Sequence, residues 1–296
     1  MTNLMTLQEA INNFKGLIES SILENGDKGK EAMICSSVPI LNIHEAVKSE
    51  LIKAGINESL IFPPLNSRTP ELKLAGSHKQ KNQDVCVVPN FKKTKEVLQE
   101  GLLKDVTDEY GEKFTEQTIA INIRSQISSI QKNFDTLYER TTSEATNLHD
   151  RCPQMVLGEV YMIAIPEYDD QKVKNKEIVF KKPNQSTVTQ YIKSFQAINS
   201  RKGIKTKFFQ YERVCLLIVD FSQTSAKIYK TSDELKQAGL IPQNSTVDIS
   251  ALSWEQFISD LLKIYNGRFK KKKCLIDILW LKIHQFLVFY LKFGDR

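Results

Sequence analysis

The stretch IAINIRSQISSIQKNFDTLYER, residues 119–140, decides the class of fold. Its opening residues alternate. Ile119, Ile121 and Ile123 point one way; Ala120, Asn122, Arg124 and Gln126 point the other. A period of two is that of a strand. From Ile127 the period becomes helical, and Ile127, Ile130, Phe134, Leu137, Tyr138, Ala145 and Leu148 fall on one stripe, which predicts a helix over 127–148. The polar face of the strand poses the chemical question. It is either an edge facing solvent or the wall of a site.

Working outward, DVCVVP (84–89) and MVLGEVYMIAIPEY (155–168) read as strands. ERVCLLIVDF (212–221) is apolar nearly throughout, which predicts a central strand covered on both faces. SAKIYKT (225–231) is expected to pair beside it, followed by a short helix over SDELKQAG (232–239). NFKKTKEVLQEGLLKD (90–105) is expected to be helical.

Toward the N-terminus, Thr6 and Glu9 form a capping-box pattern ahead of Ile11, Phe14, Ile18 and Ile22 at helical spacing. NIHEAVKSELIKAG (42–55) predicts a second helix stopped at Gly55. Pro63, Pro64 and Pro70 then break periodic structure over FPPLNSRTPE (62–71). The resulting division is an N-terminal helical segment (1–70), an α/β core (71–235) and a C-terminal segment (236–296).

The chain ends in RFKKKKCLIDILWLKIHQFLVFYLKF (268–293), apolar all round. It is long enough for a membrane span, but Asp277, Lys282, His284 and Gln285 interrupt it, so a buried helix is favoured and no membrane partner is expected. The four consecutive lysines raise a third reading, a lost frame that leaves residues after about 270 non-native. Resequencing that finds an intact longer frame would support it.

Five widely spaced cysteines without a C-x-x-C pair, and an N-terminus without the order of a signal peptide, predict a reduced, cytoplasmic protein. Four histidines, none at zinc-site spacing with a cysteine, argue against a zinc site. His149 sits at the end of the long helix, where a cation is favoured for structural reasons. Neither an N-P-P-Y loop nor a G-x-x-x-x-G-K-[ST] loop occurs, which speaks against a methyltransferase and a nucleotide-driven motor.

The formal charge is +6, and it is concentrated. Between Gln171 and Arg213, eleven Lys and Arg face only Glu177 and Glu212, a net +9. That is the footprint expected of a polyanion site. Lys181, Lys182, Lys193, Lys202, Lys205 and Lys207 are candidate backbone contacts, and Gln190, Gln196, Asn199 and Arg201 candidate base readers. A membrane-surface role for the same segment predicts co-sedimentation with anionic liposomes.

Two segments belong together chemically. In GSHKQKNQDVCVV (76–88), Asp84 stands at the mouth of an apolar strand behind a lysine-bearing loop. In the opening stretch, Asn122, Arg124 and Gln126 share one face. Converging on one point, they suit a hard divalent cation with oxygen ligands and a phosphodiester beside it.

The pattern G-S-x-K-Q-x-x-Q-D-V, followed by a strand ending in R-S-Q-x-S-S-x-x-K-N-x-D-T, resembles the core of type II restriction endonucleases of the PD…D/E-x-K superfamily. NFDTLYERTTSEATNLHDRCPQMVLGEVYMIAIPEYD, with YERVCLLIVDF later, is most similar to the ApaLI-like group. The resemblance covers roughly residues 70 to 235. It implies a restriction-endonuclease-like central mixed sheet flanked by helices, Mg²⁺-dependent sequence-specific cleavage of double-stranded DNA, and a homodimer matching a palindromic site.

Asp84 then matches the first acidic residue of the motif, with Gln83 where proline is usual. The E-x-K of the motif falls on Asn122, Ile123 and Arg124. Arg124 cannot serve as a base, but its fork of donors can clamp a phosphate. Asn122 and Gln126 would support it, with Lys79 or Lys81 near the DNA backbone. A second carboxylate must come from elsewhere. Asp135, Glu139, Glu144, Glu159 and Glu71 are the choices, and Glu144 and Glu159 rank first, although Glu144 lies about 26 Å along a helix starting at 127. The missing motif Glu and Lys favour the alternative, a non-catalytic DNA-binding protein on the same scaffold.

Overall fold

The computed structural model describes residues 4–269. The chain builds a six-stranded mixed sheet with helices on both faces. The strands of that sheet are β1 (Ile61–Phe62), β4 (Val85–Val87), β7 (Ile119–Gln126), β8 (Val156–Ala164), β9 (Arg213–Asp220) and β10 (Lys227–Tyr229), in the order β1-β4-β7-β8-β9-β10. The three long strands β7, β8 and β9 are parallel, and the short outer ones antiparallel. A small hairpin, β2 (Leu72–Ala75) with β3 (Gln80–Gln83), leads into β4. A second, β5 (Glu96–Val97) with β6 (Thr107–Asp108), projects beside it.

The period-two patterns sort two cores. Ile119, Ile121 and Ile123, with Val160, Met162, Leu217 and Val219, face α1 (Leu7–Cys35), α2 (Leu41–Lys53), α5 (Asp170–Lys174) and α8 (Trp254–Phe269). Ala120, Leu157, Tyr161, Ile163, Leu216 and Ile218 face α4 (Phe134–Arg151), α6 (Gln185–Ile198) and α7 (Ser232–Gln237). The short α3 (Glu112–Glu116) adds Phe114 to this second core. The strand over 212–221 is buried on both faces between β8 and β10, and 225–231 pairs antiparallel to it, both as the patterning requires.

The Thr6–Glu9 capping box forms, with both reciprocal bonds. The first helix breaks at Gly26, at φ +61, and resumes to Cys35, so that α5 can pack against the break.

Two other expectations fail for local reasons. Residues 90–105 are not helical. Leu98 and Val106 are joined by a backbone hydrogen bond across the β5–β6 arm, and Leu102 is 81% exposed. No face of the sheet is left to bury a helical stripe there, so pairing wins. The helix expected from Ile127 begins only at Phe134. The Gln126 amide donates to the carbonyls of Ser129 and Ile130, while the Glu167 carboxylate accepts both of their N–H groups. These bonds hold 127–130 as a loop, and Ile127 crosses to the opposite core from the rest of its stripe.

The flanking segments 1–70 and 236–296, as far as they are described, pack into the cores of the sheet. α1 and α2 complete one core. Leu240, Ile241, Ile249 and Leu252 enter the other. Phe257 and Leu261 of α8 press on Gly158, where a Cβ would come within 2.8 Å of the Phe257 ring. The readings made for the tail after about 270 lie outside the described residues. Among the described residues no helix is long and apolar enough to cross a membrane.

Candidate active site

The ladder places the polar residues. Val85 pairs with Ile121, and alternation puts Asp84 on the side of Cys86 and Ala120. Asn122 and Arg124 share that side, and Glu159 lies opposite Asn122 on β8. Asp84 and Arg124 therefore lie on one face of the sheet. The Asp84 carboxylate also accepts the Ile123 N–H at 2.8 Å.

Over this spot α4 runs back across the sheet. Because it begins at Phe134, its second half lies above β7, and Glu144 points down to Arg124. One end of the Arg124 fork donates to Glu159, the other to Glu144. Lys81, on β3, pairs with the other oxygen of Glu144, and Arg140 approaches the same oxygen at 3.7 Å. Three carboxylates and three cations thus meet in one enclave. Of the two readings of the polar face, the edge open to solvent fails, since α4 covers it and Asn122, Glu144 and Glu159 are buried.

Burial shapes the charges. Glu159 is pushed upward from the usual carboxylate range by desolvation, against the pull of Arg124. Burial also opposes the Arg124 charge, but the Glu159 carboxylate prevails and keeps the guanidinium firmly protonated. Lys81 is pushed down to about 8, first by burial and then by the Arg124 charge.

The remaining candidates separate. Gln126 lies deeper, accepting from the hydroxyls of Tyr161 and Tyr191 while its amide braces the 127–130 loop, so it is a packing residue. Asn122 donates to the Tyr211 hydroxyl at 3.4 Å, which in turn donates to the Thr141 carbonyl. Asp135, Glu139 and Glu71 are exposed.

The basic segment does not form one patch. α5 packs on α1, and α6 lies on the opposite face of the sheet. Lys182, Lys193, Lys202, Lys205, Lys207 and Gln190 are exposed, and Lys181 pairs with Asp170 at 2.6 Å. Three candidate readers are occupied internally. Gln196 donates to the Asp248 carbonyl, and Asn199 bridges Ala251 and Val214. Arg201 is buried against Glu212, which also holds Arg268 and His149. Both ring nitrogens of His149 face acceptors, so it belongs to this structural cluster.

Sequence reasoning missed how the β2–β3 turn is held. The Asn147 side chain of α4 accepts from the N–H groups of His78 and Lys79 and donates to the Lys79 carbonyl. Gly76 permits this, because any Cβ there would lie 2.2 Å from the Asn147 amide nitrogen. The turn then presents Lys79 outward and Lys81 inward. The Arg140–Glu144 spacing of four was the available signal for Arg140. Nothing local marked Asn147 or Tyr211.

The carboxylates are of the right chemistry for Mg²⁺, which takes oxygen ligands. Glu159 Oε2 is buried without a hydrogen-bond partner. Yet among the described residues no three carboxylate, histidine or cysteine side chains are placed to hold one ion together. The Arg124 guanidinium stands between Glu144 and Glu159. Compared with protein-family models, curated proteins and solved structures, the chain has no match.

Proposed function

We propose that this protein is a Mg²⁺-dependent endodeoxyribonuclease with a restriction-endonuclease-like sheet, acting on specific sites in double-stranded DNA as a homodimer. The observation that carries the reading is the meeting of Asp84, Glu144 and Glu159 with Lys81 and Arg124 on one face of the sheet. Acidic residues, a lysine and a phosphate-binding fork close together are what phosphodiester hydrolysis needs.

Asp84, Glu144 and Glu159 are the oxygen donors nearest to hand for the cation, and as placed they do not share one ion. A bound Mg²⁺ would supply polarisation of the phosphodiester and a lower pKa for the attacking water. Arg124 orients a non-bridging phosphate oxygen through its fork. Lys81, titrating at about 8, can release its proton near neutral pH and so accept one from water, the role that Arg124 cannot fill. Exposed Lys79 lies at the rim, where a DNA backbone would pass.

The test is a fragment pattern. Purified protein with Mg²⁺ is expected to cut a mixed-sequence plasmid at discrete sites, and Asp84→Ala to abolish cutting while leaving the melting temperature within a few degrees. An uncut plasmid across a range of salt would overturn the reading. One observation favours the rival, a DNA-binding protein without catalysis: Arg124 already neutralises two of the carboxylates. In that case Asp84→Ala leaves DNA affinity unchanged.

A further inference from the structure

The basic segment is divided between the two faces of the sheet, but its second half stays together. From Lys182 to Tyr211 the sequence holds no Asp or Glu. This stretch is α6 with the loop that follows it. Arg201 is spent on Glu212. Lys182, Lys193, Lys202, Lys205 and Lys207 are exposed, and among the described residues none of them meets a carboxylate. Buried Arg201 holds the loop from beneath, donating to the carbonyls of Ile204 and Thr206, and the three loop lysines are left in solvent. α6 itself has two unlike sides. Val188, Tyr191, Ile192, Phe195 and Ile198 are buried in the core, while Ser186, Gln190 and Lys193 stand outside with Thr189 half-buried. A shallow groove of about 640 Å³ runs along the outer side, and no carboxylate lines it. The other amides of the helix are engaged: Gln185 donates to the Gly239 carbonyl and Gln196 to that of Asp248. Asp248 turns its own carboxylate to the N–H and hydroxyl of Ser250. Gln190 makes no such bond among the described residues, and it stands three residues before Lys193 on the same side of the helix.

We infer that double-stranded DNA docks on the outer side of α6, with Gln190 and Lys193 reading base edges in the major groove and Lys182, Lys202, Lys205 and Lys207 holding phosphates at either end of the helix. α6 has 14 residues and is about 21 Å long. The major groove, about 12 Å wide, admits one helix, and there a glutamine amide matches adenine and a lysine matches guanine. Lysines without counter-ions neutralise phosphates without first breaking an ion pair. An anionic membrane fits this side less well. A helix lying on a membrane turns its apolar side outward, and the apolar side of α6 is in the core. The inference rests on the reading above for its partner, double-stranded DNA, and needs no cleavage. It sets aside Gln196, Asn199 and Arg201 as readers, because internal bonds occupy them.

The experiment measures DNA affinity of the full chain without divalent ions, so that cleavage plays no part. The probes are a fluorescent duplex of mixed sequence and the duplex that the protein selects from a random pool. Lys205→Gln with Lys207→Gln is expected to weaken binding to both probes alike, by about tenfold at low salt, and to lower the slope of log affinity against log salt by about two. Lys174→Gln with Lys176→Gln removes the same charge beside α5, on the other face of the sheet, and should change affinity by less than about twofold. Gln190→Ala with Lys193→Ala should weaken the selected duplex at least about fivefold more than the mixed one. Equal losses from the two lysine pairs would overturn the inference. So would a pool that yields no selected sequence, or a preference that survives the change at Gln190 and Lys193. The loop also exposes Ile204 and Phe209, so phosphatidylserine vesicles are the control. Vesicle binding that is lost with Lys205 and Lys207 while DNA affinity stays would show a membrane partner instead. DNA binding localised to α6 without any plasmid cutting in Mg²⁺ keeps the inference and removes the nuclease reading. Cutting that persists at full rate in Lys205→Gln with Lys207→Gln does the reverse.

Discussion

At the scale of single residues, the polar enclave behaves differently from the solvent-facing edge that the strand pattern also allowed. Lys81 is the residue whose titration is most informative. Its pKa in the folded protein lies near 8, below its ordinary 10.5. Between those values the unfolded chain binds more protons, so the cost of holding this ammonium is present below pH 8 and fades as pH rises toward 10.5. If Lys81 accepts the proton from water, cleavage should rise as pH passes through about 8 and level off. Lys81→Met should lower the rate by about 10²-fold or more and flatten that rise, as expected for loss of a general base.

A second residue-scale outcome concerns Glu212. Burial would raise its pKa, but the His149 hydrogen bond, with the charges of His149 and Arg268, brings it down to about 2. Its contribution is therefore full above the ordinary value of 4.5 and is lost as pH falls toward 2. Glu212→Gln is expected to cost about 3–5 kcal/mol at neutral pH, because Arg201 is left buried without its counter-ion. Urea unfolding at pH 7 and pH 3 reads both effects, and the cost should shrink at the lower pH.

At the scale of elements, the β2–β3 turn and the β5–β6 arm illustrate opposite kinds of support. The turn that carries Lys79 and leads into Lys81 is held by three bonds to the single Asn147 side chain. Asn147→Ala should destabilise the protein by about 1–3 kcal/mol, since the His78 and Lys79 amides lose partners, and hydrogen exchange at those two amides should quicken. The arm is tied at its base, where Arg151 pairs with Asp108 at 2.8 Å and with Glu96 and the Gln80 amide donates to the Thr107 carbonyl. Its tip residue Leu102 meets solvent. Leu102→Ser should change stability by no more than about 0.5 kcal/mol, checked by thermal melting.

The whole molecule rests on one sheet sandwiched between two cores, and both chain ends of the described region pack into the same one. N-terminal α1 and α2 and C-terminal α8 share a single face. Phe257→Ala should cost about 3–5 kcal/mol, because the ring fills the space above Gly158. The unfolding transition should stay single if the two faces fold as one unit, monitored by far- and near-ultraviolet circular dichroism together. The charge pattern, by contrast, does not survive to this scale. Eleven cations close in sequence are distributed over both faces of the sheet, and Arg201 is consumed by an internal pair.

What the sequence by itself determined was whatever depends on neighbours along the chain. The alternation of Ile119, Ile121 and Ile123 assigned a strand and its two faces. Thr6 and Glu9 assigned a helix start, and the apolar run at 213–220 a strand buried on both sides. What only the tertiary structure decided was whatever depends on contacts between distant segments. Residues 90–105 carry helical propensity but have no surface to bury it. Gln126 has a polar side chain but serves two tyrosines and a loop. Glu144 became a partner of Arg124 because the helix starts late and folds back over β7, bringing together residues 20 apart in sequence. Burial then set their charges, since the cost of ionisation depends on the surrounding dielectric, which no residue carries in its own identity.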